Sequence, residues 1–100
     1  MSDNQLILHL KYKYFDMVEC GEKFVEYREF KPYWISRIHM QTKLTLVPGY
    51  NLDNCWDLDA DITRIHVVSF DSLPDYVRVE FKGKEKSEFF AIEFNNVREV

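Results

Sequence analysis

Apolar residues recur at every second position near the start of the chain, where Leu6, Leu8 and Leu10 alternate with other residues across 5–11. This period predicts a half-buried first strand. The spacing then changes, because Phe15 and Val18 fit one face of a short helix over residues 14–20. The glycine that follows, at position 21, can end this helix in a left-handed conformation.

A second strand is predicted over residues 23–29, which are rich in aromatic and β-branched side chains. Pro32 then suits the first turn of another short helix, because its missing N–H would have no helical partner there. Residues 43–47 predict a third strand, closed by Pro48 and Gly49.

The sequence of the C-terminal half predicts mainly strands. Residues 51–57 form the most loop-like segment, and residues 58–70 predict a long strand whose apolar positions need a bulge near Thr63 and Arg64. After a turn at 71–74, we predict strands at 76–81 and 88–94, with the charged segment 82–87 as the hairpin loop between them.

Six strands and two short helices predict a mainly β (α+β) fold. With so many strands in 100 residues, a small closed or nearly closed mixed β-barrel leaves fewer exposed edges than an open sheet. The length is typical of one domain, so we expect a single domain spanning residues 1–100.

The composition supports a packed interior, since 46% of the residues are hydrophobic and 16% are aromatic. No run of about 18 apolar residues is present. The polar start lacks the basic flank and apolar centre of a secretion signal, so we expect a cytoplasmic protein without a membrane partner. Two cysteines, Cys20 and Cys55, do not make a disulfide framework.

The net charge of −4 argues against sequence-independent nucleic-acid binding, which depends on a basic surface. The charge is uneven, however: residues 1–45 carry seven Lys or Arg against six Asp or Glu, and residues 46–100 carry six against eleven. A local basic patch on an acidic body is therefore expected from Lys11, Lys13, Lys23, Arg28, Lys31, Arg37 and Lys43.

The densest group of candidate functional residues is Gly21, Lys23, Glu26 and Arg28. In a strand, Glu26 and Arg28 project from the same face, and Lys23 stands at the beginning of that strand. A lysine, a carboxylate and a guanidinium at one end of a sheet can hold a polar ligand. The alternative is a structural ion pair between Glu26 and Arg28 that fixes one strand of the barrel.

Other candidates are aromatic or imidazole side chains. Tyr14, Tyr33 and Trp34 are each candidates for stacking on a base, with core packing as the alternative. The three histidines, at positions 9, 39 and 66, are widely spaced and form no paired ligand pattern, so we expect no metal site and no cofactor.

The four residues Gly21, Lys23, Glu26 and Arg28 fill a G-x-K-x-x-E-x-R box that resembles the mark of the ASCH domains, which belong to the PUA-like superfamily of small β-barrels. Residues 8–16 and 88–94 are similar to the opening and closing segments of that family. The resemblance implies a PUA-like barrel with a cleft, lined by the box, that binds RNA or nucleotide-like ligands.

In such a binding module, Lys23 and Arg28 would meet phosphate or carbonyl oxygens, and Glu26 would accept a hydrogen bond from an exocyclic amine. Tyr14 or Trp34 would stack on the base. We rank an RNA- or modified-nucleotide-binding module first.

The resemblance also implies a second reading, because some small ASCH proteins are amidohydrolases that remove an acyl group from N4-acylated cytidine. Lys23 matches their catalytic lysine and would act as base or nucleophile. Glu26, which stands where they carry threonine, would shuttle the proton. Their third group is a later glutamate, for which we consider Asp71, Glu80, Glu85 and Glu88. A protein-interaction domain on a PUA-like barrel is the third reading.

Overall fold

The computed structural model describes residues 5–38, 40–49 and 57–100. Within them the fold is mainly β with short helices, as predicted, and its strands curl into a half-barrel. In chain order the elements are β1 (Gln5–Leu10), α1 (Tyr12–Glu19), β2 (Val25–Glu29), α2 (Pro32–Ile38), β3 (Lys43–Pro48), β4 (Leu58–Ser69), a 3-10 helix (Phe70–Ser72), α3 (Asp75–Glu80) and β5 (Glu88–Glu99).

The five strands form one sheet in the order β1-β3-β4-β5-β2. β1 is parallel to β3, and the other neighbouring pairs are antiparallel. The ladder between β4 and β5 shifts register between Asp59 and Asp61 and again between Ile62 and Arg64. The second shift confirms the predicted bulge near Thr63 and Arg64. β1 and β2 are the two edges of the sheet; β2 carries Glu26 and Arg28 of the candidate box, and Lys23 lies just before it.

The alternation in β1 has the predicted effect, because Leu6, Leu8 and Leu10 are all buried. They belong to the main core with Phe15 and Val18 of α1 and with apolar residues of β3, β4 and β5. A second, smaller core forms around Phe89. The helix α1 therefore packs its apolar face against the sheet and leaves its polar face outside.

The glycine after α1 ends the helix as predicted. Gly21 has a positive φ of 81°, and its N–H donates to the Val18 carbonyl at 3.0 Å. The N–H of Glu22 donates to the Met17 carbonyl at 2.8 Å. These two bonds are the pair that closes a Schellman turn. The chain consequently reverses just before Lys23 and β2.

One predicted strand is wrong, since residues 76–81 form helix α3 and its C-terminal turn. The described residues therefore contain five strands and three α-helices, in place of six and two. Leu73, Val77 and Phe81, four residues apart, pack in the core around Phe89. Val79, which a strand would have placed beside Val77, is 72% exposed. The charged segment 82–87 thus connects a helix to β5 and is not a hairpin loop.

The remaining element predictions agree with the structure within a few residues. β5 continues to Glu99, beyond the predicted 88–94. The predicted loop at 51–57 lies outside the described residues except for its last residue. Cys20 is a free, exposed thiol, and Cys55 lies outside the described residues. In the part of the chain that the structure describes, no helix is long and apolar enough to cross a membrane.

Candidate functional site

A cleft of about 1020 Å³ runs between the edges of the half-barrel and helices α2 and α3. All five residues predicted to contact a ligand line it: Tyr14, Lys23, Glu26, Arg28 and Trp34. Its volume is at the upper end of the range typical of small-molecule sites. The structure thus brings the candidate side chains to one surface.

Lys23, Glu26 and Arg28 form a buried group of three charges on the floor of the cleft. Lys23 Nζ lies 3.2 Å from Glu26 Oε1, and Arg28 Nη1 contacts Glu26 Oε2. The side chains of Lys23 and Glu26 are only 4% and 8% exposed. Glu26 therefore balances two cations in a place from which water is largely excluded.

Arg28 also connects the two edges of the sheet. Its Nη2 donates to the His9 carbonyl of β1 at 2.9 Å, and its Nη1 donates to the Tyr27 carbonyl at 3.0 Å. β1 and β2 are not hydrogen-bonded neighbours in the sheet order. The guanidinium fork spans the open side of the half-barrel, so the structural role considered for the Glu26–Arg28 pair is present within the cleft itself.

Three tyrosine rings surround the Lys23 ammonium. Its Nζ lies 5.8 Å from the ring centre of Tyr14, 5.6 Å from that of Tyr27 and 5.5 Å from that of Tyr76. Each distance is within the range of a cation–π interaction. The Val25 carbonyl, 2.5 Å from Nζ, accepts a hydrogen bond. Carboxylate, rings and carbonyl together fix the position of this positive charge.

Tyr14 links the lysine to a second carboxylate. Its hydroxyl donates to Glu80 Oε2 at 2.8 Å. Burial, with the hydrogen bond to Glu80 adding to it, raises the pKa of Tyr14 to about 12. Hydrogen bonds from Lys11 and Tyr14 lower the pKa of Glu80. The phenol is therefore neutral and the carboxylate charged at neutral pH.

Among the four acidic residues considered as a third group, Glu80 is the one that lines the cleft. Asp71, Glu85 and Glu88 are not among the lining residues. Glu85 instead accepts a hydrogen bond from the Gly83 N–H in the turn after α3. Helix α3 is what carries Glu80 and Tyr76 to the site.

Two aromatic rings, with a guanidinium group at each end, form a row from the floor of the cleft to its rim. Arg28 Cζ lies 5.4 Å from the Trp34 ring centre, and the rings of Trp34 and Tyr33 meet edge to face at 4.8 Å. Arg37 Cζ lies 3.6 Å from the Tyr33 ring centre. Tyr33 is 52% exposed, so this row ends at solvent.

The predicted basic patch is divided by the fold. Four of its seven members line the cleft: Lys11, Lys23, Arg28 and Arg37. Lys31 and Lys43 instead pair with Glu29 and Asp61. Since two carboxylates, Glu26 and Glu80, also line the cleft, cations exceed anions there on a protein of net charge −4. This local excess favours an anionic ligand.

Two histidines have partners unrelated to a metal. His9 Nδ1 lies 2.9 Å from the Gly49 carbonyl, and His66 Nε2 lies 2.8 Å from Glu93. His39 lies outside the described residues. No group of three or more His, Cys, Asp or Glu side chains suited to a metal ion is found in residues 5–38, 40–49 and 57–100.

Sequence reasoning did not assign Tyr27 or Tyr76 to the site. Tyr27 lies in the predicted strand between Glu26 and Arg28, and its ring packs against the second core while approaching Lys23. Tyr76 was missed because residues 76–81 were predicted to form a strand. The spacing of Leu73, Val77 and Phe81 was the signal for a helix there, and that helix would have placed Tyr76 and Glu80 one turn apart.

Comparison with protein-family models, with curated proteins and with solved structures gave no match.

Proposed function

We propose that this chain is an ASCH-type module that binds RNA or a modified nucleotide in the cleft. The observation that carries the proposal is the joint location of the box side chains Lys23, Glu26 and Arg28 with two aromatic residues, Tyr14 and Trp34, in one cleft. Aromatic faces for bases beside cations for phosphate are the usual means of single-strand recognition.

In this proposal, the charged side chains Lys23, Glu26 and Arg28 form a preorganised base of the cleft. Glu26 and Lys23 already satisfy each other, and Arg28 is held by two backbone carbonyls. Their polar atoms need little reorganisation when a base enters, which lowers the cost of binding. Trp34 is partly buried against the main core, and its ring centre lies 5.4 Å from Arg28 Cζ; in this proposal the base stacks on the part of the ring that faces the cleft.

Trp34 also provides the assay. The sequence has two tryptophans, Trp34 and Trp56, so Trp56→Phe leaves Trp34 as the sole indole. We expect saturable quenching of its fluorescence by cytidine, by N4-acetylcytidine or by a short single-stranded RNA. In calorimetry, Trp34→Ala should weaken binding about tenfold or more, as stacking on one base is worth roughly 1–3 kcal/mol.

Phe30→Ala is the matched control. Phe30 is an exposed aromatic residue that lines a separate apolar groove of about 310 Å³ together with Ile35 and Met40. Its truncation should leave nucleotide affinity unchanged. Absence of saturable binding for every probe, or equal weakening by both variants, would contradict the proposal.

A second candidate function is amidohydrolysis of an N4-acylated cytidine, favoured by the position of Glu80. Its side chain is 24% exposed, against 8% for Glu26, so Glu80 is the carboxylate that water reaches more easily. Glu80 would accept a proton from water as the water adds to the acyl carbonyl carbon, while Lys23 faces the developing oxyanion. The bond between the acyl carbon and N4 then breaks, and Glu80 returns its proton to the leaving amine of cytidine.

The test follows free cytidine by chromatography after incubation with N4-acetylcytidine. Release should disappear in both Lys23→Met and Glu80→Gln, and circular dichroism should show that Glu80→Gln, at the more exposed site, remains folded. If the wild-type protein releases no cytidine, the hydrolase is excluded for this substrate while the binding module stands.

A further inference from the structure

Arg37 differs from the other cations of the cleft in its surroundings. It lies in the last turn of α2 and is exposed. Its guanidinium stacks 3.6 Å from the Tyr33 ring centre, and its Nη1 donates to the Tyr33 carbonyl at 3.0 Å and to Ser36 Oγ at 3.4 Å. These contacts fix the plane of the fork at the rim of the cleft.

Arg37 is also the arginine that makes no ion pair with any described residue. The other four arginines pair with carboxylates: Arg28 with Glu26, Arg64 with Glu93, Arg78 with Asp75, and Arg98 with Asp61. An oriented guanidinium without a carboxylate keeps its full charge for a ligand, and its planar donors match the oxygens of a phosphate.

Most of the charge inside the cleft is compensated. Glu80 lies against Lys11 at 2.6 Å, and Glu26 lies against Lys23 and Arg28, which leaves one positive charge in that group. The other surplus positive charge of the cleft is that of Arg37, at its exposed end. An anionic group is favoured there, where it also keeps part of its hydration.

We infer that the exposed end of the cleft is a phosphate subsite formed by Arg37, so that the preferred ligand is a nucleotide or an RNA segment in preference to a free nucleoside. This inference rests on the proposed binding function. Trp34 and Arg37 are three residues apart in α2 and share a face of the helix. The positions that hold a base stacked on Trp34 and a phosphate on Arg37 are then a little less than one helical turn apart, ~4.5 Å along the axis.

Arg37 also has a role in the stability of α2, which must be distinguished from phosphate binding. A cation in the last turn of a helix also stabilises the C-terminal end of the helix dipole. Loss of that role would change folding stability without changing the preference between a nucleoside and its phosphate. The experiment therefore measures the preference itself.

The experiment uses calorimetry to compare the affinities of cytidine, cytidine 5′-monophosphate and a short oligocytidylate. Where N4-acetylated ligands are used, all ligands in the comparison are acetylated. The proteins are the wild type, Arg37→Gln, Arg37→Lys and the control Arg64→Gln, an exposed arginine on β4 outside the cleft. We expect the wild type and Arg64→Gln to bind the monophosphate about five- to tenfold more tightly than the nucleoside.

Arg37→Gln should abolish this advantage while nucleoside affinity is unchanged, and Arg37→Lys should retain part of it because a point charge remains without the fork. A further gain for the oligonucleotide over the monophosphate would identify RNA as the source of the phosphate. Equal affinity of the wild type for nucleoside and monophosphate would overturn the inference and leave the binding function intact. An unchanged preference for the monophosphate in Arg37→Gln would have the same meaning. If no probe binds the wild type, the proposed function itself fails.

Discussion

At the scale of single residues, the site is built around a carboxylate that is almost removed from water. Glu26 is 8% exposed and contacts two cations, Lys23 and Arg28, which are 4% and 17% exposed. Moving such charges from water is costly, and their mutual attraction offsets that cost only when all partners are present. Both cations therefore depend on the carboxylate of Glu26.

Glu26→Gln tests this dependence. Neutralising the carboxylate leaves two cations close together with little solvent, so we expect the free energy of unfolding to fall by about 3–5 kcal/mol. Urea denaturation followed by circular dichroism measures it. The control is Asp75→Asn, which removes a carboxylate that is 92% exposed and paired with Arg78, and which should cost less than about 1 kcal/mol. Similar losses for both variants would contradict a buried, mutually dependent group.

The phenol of Tyr14 provides a second test at this scale. Its pKa of about 12 means that the folded state favours the neutral form. The associated stabilisation is complete below pH 10, where the phenol is neutral in both states, and is lost as the pH rises toward 12. We expect the Tyr14 tyrosinate signal, assigned by difference from Tyr14→Phe, near pH 12 in the folded protein.

Glu80→Gln should lower this pKa only in part. Burial is the largest cause of the increase, and the carboxylate of Glu80 adds to it. Ionisation of Tyr14 near pH 10 in the wild-type protein, with the fold intact by circular dichroism, would be inconsistent with the described bond to Glu80.

At the scale of elements, the alternation of apolar residues and the residues that begin or end helices predicted most of the fold. Leu6, Leu8 and Leu10 gave β1 its buried face, and Gly21 marked the end of α1. The error at 76–81 arose because Val77, Val79 and Phe81 alternate like a strand as well as recurring like a helix. Tertiary packing decided between them: Leu73, Val77 and Phe81 meet Phe89, and Val79 is left in solvent.

The difference between local pattern and tertiary packing also limits how much of the site can be predicted from the sequence. Lys23, Glu26 and Arg28 lie close together in the chain, so strand geometry alone predicted their proximity. The neighbours that complete the site come from elsewhere: Tyr14 from α1 and Glu80 from α3. Their meeting depends on how helices α1 and α3 pack beside one cleft, which local periodicity does not encode.

Asp61 connects three strands and makes a prediction about acid stability. Its carboxylate, in β4, accepts hydrogen bonds from Asn96 of β5 at 2.9 Å and Lys43 of β3 at 3.0 Å. These bonds lower the pKa of Asp61 to about 2. Because the folded-state pKa lies below the ordinary value of 3.8, the stabilisation is present above about pH 4 and is lost as the pH falls toward 2.

In Asp61→Asn, the free energy of unfolding should consequently fall less steeply between pH 4 and pH 2 than in the wild type. Denaturant titrations at several pH values in this range measure the two slopes. Asp71→Asn, which removes a carboxylate without an ion pair among the described residues, is the control and should follow the wild type. Identical slopes for Asp61→Asn and the wild type would show that these strand-bridging bonds do not persist in solution.

At the scale of the whole molecule, the protein separates its charges. The sequence carries 17 acidic against 13 basic residues, yet four basic and two acidic side chains line the cleft. Long-range attraction for a polyanion is therefore weak, because the overall field is negative and a surplus of positive charge exists only locally. Recognition of RNA by such a molecule has to rely on stacking and on very few phosphate contacts.

This charge separation predicts an unusually small salt dependence of RNA binding. With one or two phosphates neutralised in the cleft, the slope of log K against log salt for a single-stranded RNA should lie between about −0.7 and −1.4, since each phosphate contributes roughly −0.7. Titrations from low to moderate salt give this slope. Arg37→Gln should make it shallower by about 0.7, and Arg64→Gln should not change it. A slope steeper than about −3 would instead mean that the RNA neutralises cations along a surface outside the cleft.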